Sequence, residues 1–126
     1  MADVGDLVPL YLSGCANGNP LLVTATTTGG AQTLDTAVSG TTDSDFYHVW
    51  ANNTDTSDRD VYFLLGGTTA PDDLVAGPYT LPAKGGLNIV IDGLPVNNGL
   101  VLKVYASAAS LVTVGGFKHR RTGGDT

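Results

Sequence analysis

Three side chains could open nucleophilic or acid–base chemistry: Cys15, His48 and His119, the one cysteine and two histidines of the chain. A cysteine nucleophile needs a base within reach. Cys15 stands in Ser13-Gly14-Cys15-Ala16-Asn17-Gly18, a run of turn formers, and no spacing ties it to either histidine. A structural thiol is the better reading. Two histidines without cysteine or acidic ligands at matching spacing do not compose a zinc site. Asn53-Thr54-Asp55-Thr56-Ser57-Asp58-Arg59-Asp60 resembles the start of a calcium loop, which needs Gly at its sixth position and Glu at its twelfth. Those positions hold Asp58 and Leu64. Asp, Asn and Ser also make ordinary turns by bonding the local backbone, and Asp72-Asp73 after Pro71 reads the same way. All twelve acids are aspartate. Two could serve a glycosidase, but nothing marks an opposed pair. There is no G-x-S-x-G elbow and no phosphate loop. Asn52-Asn53-Thr54 fits a glycosylation sequon, which matters only in a eukaryotic secretory protein. We expect no enzyme activity, no cofactor and no metal.

Residues suited to binding are more plentiful. Trp50 and the tyrosines Tyr11, Tyr47, Tyr62, Tyr79 and Tyr105 could stack on sugars. They are spread along the chain, so core packing and subunit contact explain them better. Trp50 and Tyr105 are the candidates for a subunit interface. Lys118, Arg120 and Arg121 make up three of the six basic residues. They form either a solvated end or a contact with an acidic neighbour. Val8, Leu10 and Tyr11 lie in Val8-Pro9-Leu10-Tyr11-Leu12. That segment reads as an edge strand, or as an arm that adds to a partner's sheet.

Short β-branched and aromatic runs bounded by turn residues predict strands. They fall at residues 7–12, 21–27, 31–38, 45–52, 59–65, 74–81, 87–91, 100–106 and 111–118. Eight or nine short strands at nearly even spacing predict an all-β, single-domain antiparallel β-sandwich of jelly-roll type. We divide the chain into an N-terminal arm at 1–18, a sandwich at 19–118 and a polar C-terminal tail at 119–126.

The bulk properties fit. The chain has 126 residues, 17 of them glycine, only 14% charged side chains and a net charge of −6. One domain of this size buries a sufficient core without staples. The acidity disfavours nucleic acid. No apolar run approaches the ~20 residues of a membrane span. Met1-Ala2-Asp3-Val4-Gly5-Asp6 is acidic and unlike a secretory signal, and a lone thiol fits a reducing compartment. Alternation adds one more expectation. Tyr47, Val49 and Ala51 share one face of their strand, and Phe46, His48 and Trp50 the other. Leu100, Leu102 and Val104 oppose Val101, Lys103 and Tyr105 in the same way. Strands apolar on both faces are covered on both faces, so we expect a homo-oligomer.

Four runs carry a family resemblance: Thr36-Ala37-Val38-Ser39-Gly40-Thr41-Thr42-Asp43, Val49-Trp50-Ala51-Asn52-Asn53-Thr54, Gly66-Gly67-Thr68-Thr69-Ala70-Pro71-Asp72-Asp73-Leu74 and Gly93-Leu94-Pro95-Val96-Asn97-Asn98-Gly99-Leu100. Across residues 20–118 the chain is similar to small virion structural proteins of tailed bacteriophages. It departs from them at Lys118-His119-Arg120-Arg121 and the Gly-rich extension. The resemblance implies a non-enzymatic β-sandwich subunit of the particle, made in the bacterial cytoplasm, and the net negative charge suits the capsid exterior better than the DNA-filled interior. Such a decoration or cement protein would bind the major capsid protein, as a trimer on local three-fold axes. Val8, Leu10, Tyr11, Lys118, Arg120 and Arg121 would then be the contact residues. A neck, tail or fibre module that contacts the host, or a carbohydrate-binding module, is the alternative.

Overall fold

The computed structural model describes residues 7–122, with the backbone alone at Leu7 and Val8. Its strands are β1 (Leu7–Tyr11), β2 (Leu21–Val23), β3 (Gln32–Thr36), β4 (Ser44–Asn53), β5 (Arg59–Leu65), β6 (Leu74–Leu81), β7 (Leu87–Val96), β8 (Val101–Ala106) and β9 (Val112–Arg121). Each falls where the composition predicts a strand. Two run further than expected. β7 continues through Gly93 and Pro95 at an edge of its sheet, where Pro forfeits no ladder bond. β9 continues through the basic residues to Arg121.

The strands form two antiparallel sheets. Sheet I has the order β1-β9-β4-β7, with β2 also on β9, and sheet II the order β3-β8-β5-β6. β2 pairs β9, β3 pairs β8, β4 pairs β7 and β5 pairs β6. This nesting is a long hairpin folded over onto itself, the jelly-roll arrangement.

β1 and β2 share one edge of β9. β1 lies against residues 117–121 and β2 against residues 112–114. A 3-10 turn, Ala16–Gly18, joins them, with Asn17 at φ 57° and Gly18 at φ 82°. Leu12 and Cys15 drop from this connection into the core. Residues 7–18 are therefore part of the sandwich, which corrects the arm boundary at 18. β1 also completes the edge of its own sheet instead of reaching outward.

The core lies between the sheets. β4 contributes Tyr47, Val49 and Ala51, which meet Leu34, Val61, Phe63, Leu102 and Val104. Strict alternation along β4, with every odd position from Asp45 to Asn53 buried, sets this register. Full burial of each aliphatic side chain contributes about 1.5–3 kcal/mol.

Candidate docking face

The register that turns Tyr47, Val49 and Ala51 inward turns Phe46, His48 and Trp50 out. Across the ladder, Trp50 faces Gly115, His48 faces Phe117 and Phe46 faces His119. On the other side Trp50 faces Ile89, and His48 faces Asp92. The outer face of sheet I is therefore aromatic and aliphatic. Among the described residues, five of the eight exposed large apolar side chains lie on its strands: Tyr11, Leu22, Leu87, Ile89 and Phe117. Tyr11 is 65% exposed and Ile89 54%, so none of the described residues covers either.

Two adjoining grooves mark this face. The larger, about 590 Å³, is lined by Pro9, Leu10, Tyr11, Trp50 and Phe117, together with Gly18 and Gly116. The smaller, about 300 Å³, is lined by Phe46, His48, Gly93, His119 and Arg121. A ring cluster forms the ridge between them. His48 stacks on Phe117 with centroids 4.8 Å apart, and His119 meets His48 edge-on at 5.3 Å and Phe117 at 5.1 Å. His48 Nδ1 lies 3.2 Å from Asp92 Oδ1.

A glycine lets β9 approach β4 closely beside the larger groove. Any Cβ on Gly116 would lie 2.0 Å from the His48 carbonyl oxygen, and its φ of +147° already disfavours a side chain. Two glycines inside a strand signal close approach, the one cue in the sequence to this feature.

Directly behind the face lies a buried ionic network. Asp35 of β3 and Asp45 of β4 are both essentially inaccessible. Lys118 Nζ donates to Asp35 Oδ2 at 2.5 Å and lies 3.0 Å from Asp45 Oδ2. Tyr47 donates its hydroxyl to Asp35 at 2.6 Å. Arg120 donates from Nε and Nη2 to the two Asp45 oxygens at 2.8 and 3.1 Å. The backbone N–H groups of Ser13 and Val38 complete the two carboxylates. Burial alone would push the Asp45 carboxyl up, but Arg120 and Lys118 outweigh it and hold it below the usual range. Burial, and then the bond to Asp35, push the Tyr47 hydroxyl far up. The network ties β3 of sheet II to β4 and β9 of sheet I.

These positions revise the contact residues. Lys118 is buried and committed to the two aspartates, so it is an internal strut and not a contact with a partner. Arg120 is one-third exposed and forked onto Asp45. Arg121 is exposed and lines the smaller groove, and Leu10 and Tyr11 line the larger one. Val8 pairs with Arg120 through its backbone, and its side chain lies outside the described residues. The tail boundary at 118 moves to Arg121, and residues 123–126 lie outside the description. Trp50 and Tyr105 are not brought together. Tyr105 belongs to sheet II and stacks on Tyr62 with centroids 4.4 Å apart and rings nearly parallel.

The remaining reactive groups have structural roles. The Cys15 thiol is in the core, 3.8 Å from the Val114 carbonyl, and burial pushes its pKa up. The calcium-like stretch is a braced turn. Asp55 binds Arg59 at 2.6 Å, Asp58 accepts from the Ala83 N–H, and Asn53 accepts from Asp55 N while donating to the Ser57 and Leu81 carbonyls. No grouping of three His, Cys, Asp or Glu side chains suited to a metal occurs among the described residues. Chemically, the outer face of sheet I can bury rings and pair with anions.

No family model, no curated protein and no solved structure matches the chain.

Proposed function

We propose that this protein is a non-enzymatic virion subunit that docks on the exterior of a tailed-phage head through the outer face of sheet I and reinforces the shell. One observation carries the docking: that face is aromatic, aliphatic and nearly free of carboxylates. Asp92 is the acid at its strand positions, and His48 engages it. Asp58 and Asp72, which are exposed, and Asp55, Asp60 and Asp73, which are half-buried, sit in the β4–β5 turn, at the start of β5 and in the β5–β6 loop. Contiguous exposed apolar surface marks an interaction site. A protein of net charge −6 docks best through the face that carries the least of that charge. The sequence resemblance supplies the particle. A clamp of this kind acts by mass action, stabilising the assembled state to which it binds.

The decisive experiment incubates the protein with heads stripped of it, sediments them, and counts bound copies. Hundreds of copies, roughly in proportion to the shell subunits, support the reading, and about six or twelve place the protein at the neck or tail. No binding, together with absence from purified virions, refutes it.

A second reading has its own support. Trp50, Tyr11 and Phe117 converge on one exposed groove, as a carbohydrate-binding module requires. Binding of the isolated protein to a glycan array, lost in Trp50→Ala, would favour it over head binding.

A further inference from the structure

The geometry points to an extended acidic segment of a protein partner as the occupant of the sheet I face, with an apolar side chain in the larger groove and carboxylates over the smaller one. This inference rests on the docking reading above and names the partner's chemistry.

The two grooves differ in kind, and the stacked rings of Phe117 and His48, one lining each, connect them. The larger offers Pro9, Leu10, Tyr11, Trp50 and Phe117, with no charged side chain. The smaller offers His48, His119 and Arg121 around Phe46 and Gly93. Arg121 is a permanent cation and exposed. Lys118 and Arg120, its neighbours on β9, are neutralised internally by Asp35 and Asp45. Arg121 therefore stands as the permanent cation of this face beside two imidazoles; the exposed carboxylate of Asp92 is 3.2 Å from His48 Nδ1, which leaves His119 and Arg121 to meet a ligand's acids most directly. Such a surface is complementary to an anion, not to a second cation.

Spacing sets the form of the ligand. Trp50 and Phe46 mark the two grooves and lie four residues apart on β4, about 14 Å along the strand. In an extended peptide, positions i, i+2 and i+4 share a face and repeat at about 7 Å. An apolar residue at i thus reaches the Trp50 groove while acids at i+2 and i+4 reach His48, His119 and Arg121. The stacked His48–Phe117 ridge lies under i+2.

Two capped peptides test this by two-dimensional NMR: Thr-Leu-Thr-Asp-Thr-Asp-Thr and the same sequence with both Asp replaced by Lys. The acidic peptide is expected to shift the Trp50 indole N–H and the ring signals of His48 and His119 together. The Lys peptide is expected to bind at least about tenfold more weakly. Arg121→Glu, on an exposed strand end, should reverse that ranking without changing the melting temperature. Equal binding of both peptides, binding of neither, or an unchanged ranking in Arg121→Glu overturns the inference. So does tighter binding of trigalacturonate than of the acidic peptide, which would assign the face to an acidic saccharide. Shifts of the same signals with protein concentration alone would assign it to a second copy and also overturn it. Head sedimentation separates the two proposals. Heads that bind while the peptides fail leave docking standing with a different partner chemistry. The acidic peptide binding while heads fail leaves the groove chemistry and removes the phage reading.

Discussion

The indole of Trp50 lies face-down on Gly115. A methyl group at residue 115 would sit 2.4 Å from Cζ2 and 2.8 and 2.9 Å from Cε2 and Cη2. Those distances place it directly over the ring, not at its edge. One face of the indole is pressed onto β9, and the ring walls the larger groove.

Gly115→Ala should therefore evict the ring. Overpacking of this kind costs about 1–3 kcal/mol. Trp50 is the single tryptophan, so its fluorescence reports the change without ambiguity. We expect a red shift, a lower melting temperature and weaker docking. An unshifted spectrum would mean that the ring is held by something other than this contact.

Lys118 is expected to matter for stability well beyond its apparent place in a basic tail. Lys118→Met removes the cation shared by Asp35 and Asp45 and should destabilise the fold by about 3–5 kcal/mol, because a buried carboxylate loses its partner. Asp35→Asn in the same chain should recover part of that loss, a coupling that a double-mutant cycle in urea measures directly.

Stability should fall in acid. The carboxyl of Asp45 is held below its ordinary value of 3.8 by Arg120 and Lys118, against the upward push of burial. A carboxyl depressed in the folded state stabilises the fold above its unfolded pKa, and the contribution is lost as pH falls through the folded one. The melting temperature should therefore hold down to about pH 4 and drop steeply below it. Asp45→Asn should start lower at neutral pH and show a flatter acid limb. Parallel curves for the two proteins would rule out Asp45 as the source.

Asn53 organises the turn that imitates a calcium loop. Its amide donates to the Ser57 and Leu81 carbonyls at 2.9 and 3.1 Å from a fully buried position. Asn53→Ala should cost about 1–3 kcal/mol, since the buried Leu81 carbonyl is left unpaired. Added calcium should not restore the lost stability, as calorimetry with and without the ion would show.

Much of the fold was legible in the residues. β-branched and aromatic runs punctuated by Gly, Asn and Asp located every strand, because those preferences act over a few neighbouring residues. The period-two pattern of β4 separated Tyr47, Val49 and Ala51 from Phe46, His48 and Trp50, and the structure turned the first set into the core and the second out. The outward set is half of the candidate docking face.

The other half was not legible. Lys118-His119-Arg120-Arg121 read equally as a solvated end or as a contact with an acidic neighbour, because a run of cations carries no sign of which carboxylates it will meet.

By itself, then, the sequence determined an all-β architecture of eight or nine strands, two opposed apolar sides of its central strand, and an excess of apolar surface. Tertiary structure alone decided that Phe117 and His119 join His48, that Gly115 lies beneath Trp50, and that Lys118 points inward to Asp35, 83 residues away. The reason is physical. Side-chain alternation is a local property of one strand, whereas the partner across a ladder is fixed by how distant strands nest, and in a jelly roll the first strands pair with the last.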